Sequence, residues 1–84
     1  MIFVFNYEFR MRSIRKKRGY TQQFIAEKLN TKAQVISRYE MQTSIPTLDR
    51  LVEIARILEV TLDELVLIKK IHSDYSEHVK KMFE

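Results

Sequence analysis

The sequence predicts an all-α fold, with five short helices in one domain and a C-terminal helical extension. One glycine and one proline occur among 84 residues, so few positions are expected to interrupt a helix. Apolar side chains recur at intervals of three and four residues, which is the period of a helix with one buried face. A chain of this length forms a marginal core by itself. We therefore expect a dimer that shares its core.

The first helix is predicted over residues 7–18. Asn6 precedes it as a suitable N-cap, and apolar residues recur at helical spacing from Tyr7 onward. Gly19 follows the last helical residue, where a left-handed conformation commonly ends a helix.

The second and third helices are predicted over residues 22–29 and 32–41. Thr21 caps the second helix, and Ala26 offers a small surface for the close approach of another helix. Asn30 lies at the sharp corner between the two helices, because asparagine tolerates a positive φ better than other non-glycine residues. The inward-facing positions of the third helix are Val35, Ile36 and Tyr39.

The fourth and fifth helices have clear start signals. Pro46 and Thr47 precede the fourth helix, and Thr61 with Glu64 forms the capping-box pattern of the fifth. The broad apolar stripe of the fourth helix consists of Leu48, Leu51, Val52, Ile54, Ala55 and Leu58.

The C-terminal extension, residues 68–84, predicts a dimerisation helix. A heptad seam with spacings of three and four runs through Leu65, Ile68, His72, Tyr75, Val79 and Met82. Alternatively, Ser73 or Asp74 caps a separate sixth helix that folds back on its own domain. A histidine in this seam is interpreted as a packed polar residue rather than a ligand, and it would make dimerisation pH-sensitive.

The N-terminal arm, residues 1–6, contains the apolar and β-prone run Ile2-Phe3-Val4-Phe5. Such a run would promote aggregation if it were exposed on a small domain. We expect it either to cover the core or to pair as a strand with a neighbouring subunit.

Charge and composition narrow the range of possible functions. Residues 1–38 carry nine basic and two acidic residues, a net charge of +7, whereas the remainder carries −3. This asymmetry indicates that one face of the protein binds a polyanion.

Without cysteine, and with two isolated histidines, no metal site or cofactor is predicted. No apolar run approaches the roughly 18 residues of a membrane span, so we expect a cytoplasmic protein.

Residues 7–67 resemble the lambda-repressor-like helix-turn-helix family, also called the XRE or Cro/C1 type. The matching residues are Arg15, Gly19, Thr21, Gln22, Ala26, Leu29, Ile36, Ser37, Arg38, Glu40, Pro46, Leu48, Leu51, Ala55, Leu58, Leu62, Asp63, Glu64 and Leu65. The resemblance implies a five-helix DNA-binding domain over residues 1–67. It also implies that the third helix enters the major groove while the second lies across the DNA backbone.

The family's contact positions imply roles for individual residues. Base contacts are expected from Lys32, Ala33, Gln34, Ser37 and Arg38. Phosphate contacts are expected from Gln22, Gln23, Arg18, Thr43 and Ser44. By the same resemblance, Arg15 and Glu40 form a structural ion pair between the first and third helices.

The sequence departs from the family near the third helix. Gln42 replaces the glycine that usually closes this helix, and the following residues 43–45 lack basic side chains. Lys32 occupies the usual cap position, which leaves Thr31 as an alternative cap and would shift the first turn by one residue.

The predicted function is a sequence-specific transcriptional regulator, a repressor that binds a short inverted repeat of double-stranded DNA as a homodimer. The alternative is an antitoxin that binds a toxin protein and autoregulates its operon. An enzyme is not expected, since no Ser/His/Asp set, Cys/His set or phosphate-binding glycine loop occurs in the sequence.

Overall fold

The computed structural model describes the backbone of residues 5–70 and the side chains of residues 7–68. Over this range the predicted order of five helices is confirmed, and a pair of strands is added. The elements are β1 (Phe5–Phe9), α1 (Met11–Lys17), α2 (Gln22–Lys28), α3 (Ala33–Glu40), α4 (Leu48–Leu58), α5 (Leu62–Leu65) and β2 (Val66–Lys70). None of the helices in this range is long and apolar enough to cross a membrane.

The two strands pair antiparallel and join the two ends of the helical domain. Their register runs from Phe5 opposite Lys70 to Phe9 opposite Val66. One further hydrogen bond extends this pairing beyond the strands, because the N–H of Arg10, just after β1, donates to the carbonyl of Leu65, the last residue of α5, at 2.8 Å.

The prediction that the first helix begins at Tyr7 is wrong, because α1 begins at Met11. Asn6 and Tyr7 lie in β1, and Asn6 is therefore not an N-cap. Aromatic residues at positions 5, 7 and 9 follow the two-residue period of a strand with one inward face. Phe9 is buried in the core, so pairing with β2 and burial of this face prevailed over the local helix signal.

The predicted helical seam is also wrong at its first two positions. Leu65 ends α5 and is fully buried in the core of its own domain, so it cannot contact a partner. Ile68 lies in β2, not in a helix. Residues 66–68, Val-Leu-Ile, favour a strand, and β1 supplies the hydrogen-bonding partner that a strand needs. The other seam positions lie outside the described residues: His72, Tyr75, Val79 and Met82.

Two alternatives for the chain ends have different outcomes. The caps Ser73 and Asp74, proposed for a separate sixth helix, lie outside the described residues. The described part of the N-terminal arm, Phe5 and Asn6, pairs with β2 of the same chain. Its predicted pairing with a neighbouring subunit therefore does not hold for these two residues.

The core lies between the helices and is closed by Phe9 of β1. Its fully buried large side chains are Met11, Ile25, Ile36, Ile54, Leu58 and Leu65. Ala26 is also fully buried, and its small side chain lets α2 and α3 approach closely, as predicted.

The predicted start signals of α2 and α5 are present. The Thr21 hydroxyl accepts the Phe24 N–H at 3.0 Å. The Thr61 hydroxyl accepts the Glu64 N–H at 3.2 Å, and the Glu64 carboxylate accepts the Thr61 N–H at 3.2 Å, which completes the predicted capping box.

The first four helices end in the same way, with one residue in the left-handed region. These residues are Gly19, Asn30, Gln42 and Glu59, with φ of 76°, 55°, 58° and 59°. After each of them, the next N–H returns to a carbonyl five residues earlier, as the Val60 N–H does to Ala55 at 3.0 Å. The sequence predicted this conformation at Gly19 and Asn30. It did not predict it at Glu59.

Candidate nucleic-acid interface

The outer face of α3 presents the residues that the sequence assigned to base reading. Lys32, Gln34 and Arg38 are exposed, and Ser37 is half-buried. Gln34 and Arg38 are four residues apart in one helix and therefore share a face. Ala33 is half-buried and packs against the core, so less of its methyl group is available to a thymine than we expected.

The start of α3 settles the choice of cap position. Lys32 is the N-cap, with φ −102° and ψ 150°, and no side chain caps the helix. Thr31 is therefore not the cap, and the helix begins at Ala33. The one-residue shift that the alternative cap would cause does not occur.

A buried hydrogen-bond network connects α3 to the two preceding helices. Arg15 Nε donates to Glu40 Oε2 at 2.7 Å, and Arg15 Nη2 donates to Glu40 Oε1 at 3.1 Å. The ion-pair geometry expected from the resemblance is thus present, with side-chain exposures of 9% for Arg15 and 3% for Glu40. The third donor of Arg15, Nη1, reaches the Tyr20 carbonyl at 2.8 Å.

Gln22 completes this network. Its Nε2 donates to Glu40 Oε1 at 3.0 Å, so one carboxylate accepts hydrogen bonds from α1 and from the first turn of α2. This bond was not predicted, because Gln22 was assigned to a phosphate. Its partner is 18 residues away, and no local pattern in the sequence indicates it. Together these contacts set the orientation of α3 relative to α1 and α2.

The electrostatics of α3 favour an anion. Lys32 and Arg38 are exposed cations, and Glu40, the acidic residue within Ala33–Glu40, is buried against Arg15. The Glu40 charge is therefore neutralised inside the domain, while the two cations face solvent. A DNA backbone approaching this face meets positive charge without an opposing carboxylate from α3.

The other residues assigned to phosphate binding lie in varied surroundings. Gln23 is exposed, and its Nε2 donates to the Glu27 carboxylate at 3.3 Å. Arg18 Nη2 donates to the Glu59 carbonyl at 3.3 Å, so this guanidinium also packs against the end of α4. The Thr43 hydroxyl donates to the Arg38 carbonyl at 3.3 Å.

Ser44 is half-buried beside an apolar groove. The assignment of these five residues to phosphate binding stays a prediction.

Arg50 is a supporting residue that the sequence analysis missed. Its Nη1 donates to the Leu29 carbonyl at 2.8 Å, which joins α4 to the end of α2 beside the turn. The free carbonyls at a helix C-terminus favour such a cation. The two residues are 21 positions apart, and an arginine within an amphipathic helix gives no local signal of this role.

Comparison with known proteins gives a consistent result. Residues 11–65 match the helix-turn-helix family. A candidate DNA-binding protein from Bacteroides fragilis is similar in structure, with a TM-score of 0.68 and 28% identity, over 73% of this chain and 98% of that one. No curated protein matches the sequence significantly.

Two of the similar structures contain DNA. The P22 c2 repressor, in complex with a synthetic operator, has a TM-score of 0.62 and 25% identity, over 67% of this chain and 85% of its own. The biofilm master regulator SinR, in complex with DNA, has a TM-score of 0.61 and 26% identity, over 67% of this chain and 90% of its own.

Proposed function

This chain belongs to the helix-turn-helix family of DNA-binding transcriptional regulators, and we propose that it acts as a repressor that binds a short inverted repeat as a dimer. In this proposal α3 lies in the major groove and α2 lies across the DNA backbone. The resemblance to the lambda-repressor type is confirmed by the family match and by the similarity to the P22 c2 repressor.

The observation that carries the proposal is the exposed face of α3. Gln34 and Arg38 project from one side of a helix whose opposite side, with Ile36 and Tyr39, is buried. A glutamine amide can bind adenine N6 and N7 together, and a guanidinium can bind guanine O6 and N7. Each such pair contributes roughly 1–3 kcal/mol of discrimination between bases.

The buried Arg15–Glu40–Gln22 network supports the same proposal. A recognition helix whose orientation is fixed before binding loses less conformational freedom when it binds DNA. Because Glu40 ends α3 and receives donors from α1 and α2, the orientation of α3 is set in the free protein. We expect Lys32 and Ser37 to contribute weaker contacts. We expect the Gln22 side-chain NH2 group to donate one hydrogen bond to Glu40 and a second one to a phosphate.

Repression is proposed from similarity to a repressor, and dimeric binding is proposed from the marginal core expected of an 84-residue chain. The P22 c2 protein is a repressor described in complex with an operator. Two recognition helices in a symmetric dimer would read half-sites about one duplex turn, roughly 34 Å, apart.

Selection of bound duplexes from a random DNA pool tests the proposal. We expect enrichment of an inverted repeat whose half-sites are one helical turn apart. Enrichment of a single half-site would contradict the dimer, and recovery of unrelated sequences would contradict base reading by α3. Repression in vivo would then be measured from a reporter gene that carries the selected site.

The antitoxin alternative stays a prediction. Within residues 5–70, no feature is specific for a toxin protein. Co-purification of a defined neighbouring gene product, followed by a binding measurement with both purified proteins, tests it.

A further inference from the structure

The outer surface of α1 is basic on two different sides. Arg12, Lys16 and Lys17 are exposed, and α1 contains no acidic residue. Because a helix has about 3.6 residues per turn, Arg12 lies about 60° and Lys16 about 100° around α1 from Arg15. Lys17 lies about 160° from Arg15. Arg12 and Lys16, four residues apart, are therefore neighbours on the side of α1 that carries Arg15.

The two sides have different electrostatic surroundings. Lys17 lines a polar cleft together with Glu8 of β1 and Glu64 of α5. Arg12 and Lys16 do not line this cleft. Within residues 7–68, the side chains of Arg12 and Lys16 have no ion-pair or hydrogen-bond partner. Their positive charges are therefore not neutralised by the part of the domain that the structure describes.

The Arg15 side of α1 adjoins both helices of the DNA-binding motif. Arg15 Nε donates to the Glu40 carboxylate at the end of α3 at 2.7 Å. Gln22, in the first turn of α2, donates to the same carboxylate at 3.0 Å. The start of α2, the end of α3 and this side of α1 therefore converge on one buried group.

We infer that Arg12 and Lys16 bind phosphates of the DNA backbone beside the bases that α3 reads. In the proposed complex α2 lies across the backbone, and the strand that passes the start of α2 also passes the Arg15 side of α1. Contacts of this kind hold the protein on the duplex and read no base. This role rests on the proposed function, because that function places the backbone across α2.

The position of Arg12 is unfavourable for the free protein. Arg12 lies in the first turn of α1, where the positive end of the helix dipole repels a cation. Like charges four residues apart, such as those of Arg12 and Lys16, also repel each other. Removal of the Arg12 charge should therefore leave the melting temperature unchanged or slightly raised, whereas it should weaken DNA binding. A residue with only a structural role would give the opposite result in the melt.

Salt titrations of DNA binding by the full chain test the inference with Arg12→Gln and Lys16→Gln. Glutamine has a helix propensity close to those of arginine and lysine, so each variant mainly removes one charge. We expect the slope of the salt dependence to become shallower by about 0.9 for each bound copy in each variant. Affinity at low salt should fall by roughly 3-fold or more, and equally for the selected site and for an unrelated duplex.

Lys17→Gln is the matched control, because it removes the same charge from the adjacent position on the side that faces Glu8 and Glu64. It should keep the wild-type slope. Lys16→Arg, which keeps the charge, should bind DNA as the wild type does. Equal reductions in Lys17→Gln, Arg12→Gln and Lys16→Gln would overturn the inference, because net charge alone would then account for them. A melting temperature that falls together with the loss of DNA binding would also overturn it.

The same titrations separate the α1 contacts from the proposed function. A wild type that binds the selected site and unrelated duplexes equally, with shallower slopes in Arg12→Gln and Lys16→Gln, would support the α1 contacts and refute base reading. A wild type that prefers the selected site, with the same slope as these two variants, would support the proposed function and refute the α1 contacts.

Discussion

Glu40 is the residue on which the orientation of α3 depends most. Its carboxylate accepts two hydrogen bonds from Arg15 and one from Gln22, and its side chain is almost completely removed from solvent. A buried ion pair adds little net stability, but removal of one partner leaves the other charge buried and uncompensated. The family resemblance implied the pair, and the tertiary structure added Gln22 to it.

Glu40→Ala should lower the free energy of unfolding by about 3–5 kcal/mol, because the Arg15 guanidinium is left without a counterion. For a domain of this size, a thermal melt should shift downward by at least ~12 °C. Glu53→Ala is the control, since Glu53 is an exposed carboxylate on α4 and its loss should change the melt little. An unchanged melting temperature in Glu40→Ala would show that the network has no structural role.

Gln34→Ala and Arg38→Ala should each reduce discrimination between the selected site and single-base variants by roughly 1–3 kcal/mol. Competition binding against those variants measures this loss. Arg56→Ala removes the same charge from an exposed position on α4 and should leave the order of preference unchanged. If the preferences of both α3 variants equal those of the wild type, bases are read elsewhere.

Four of the helices share one kind of ending, and two of these endings lack the residue that suits them best. Gln42 and Glu59 hold a left-handed conformation, which costs a residue with a Cβ roughly 1–2 kcal/mol. Gly19 and Asn30 hold it at lower cost. The third helix therefore ends with a left-handed residue at Gln42, although the glycine that the family usually has there is missing.

Glu59→Gly should raise the free energy of unfolding by about 0.5–1 kcal/mol, because relief at the left-handed position exceeds the added freedom of glycine in the unfolded chain. Thermal unfolding should move upward by roughly 2–6 °C. Glu59→Ala removes the same carboxylate but keeps the Cβ, so it should give no increase. Equal gains in both variants would assign the effect to the lost charge.

At the scale of the whole molecule, the N-terminal part of the sequence is positively charged and the remainder is negatively charged. The net charge of +7 in residues 1–38 includes the exposed cations of α3. Attraction to phosphates releases counterions from DNA, so binding depends steeply on salt.

The logarithm of the DNA-binding constant should fall linearly with the logarithm of salt concentration, with a slope of about −0.9 for each phosphate neutralised. Titrations at several ionic strengths measure this slope. Gln34→Ala should keep the wild-type slope while it lowers affinity for the selected site, because the amide carries no charge. A slope near zero would argue against a phosphate-dominated complex.

The sequence by itself determined the order of the five helices, the start signals of α2, α4 and α5, the turns at Gly19 and Asn30, and the exposed face of α3. These features depend on neighbours within a few positions, through apolar period, capping side chains and tolerance of a positive φ. Only the tertiary structure decided features that depend on distant residues. Residues 66–70 form a strand because β1 lies beside them, Gln22 bonds to Glu40 because α2 and α3 cross there, and Arg50 reaches Leu29 across 21 positions. The apolar groove beside Ser44 arises in the same way, because its walls come from β1, α3, the loop after α3, α4 and β2, which only folding brings together.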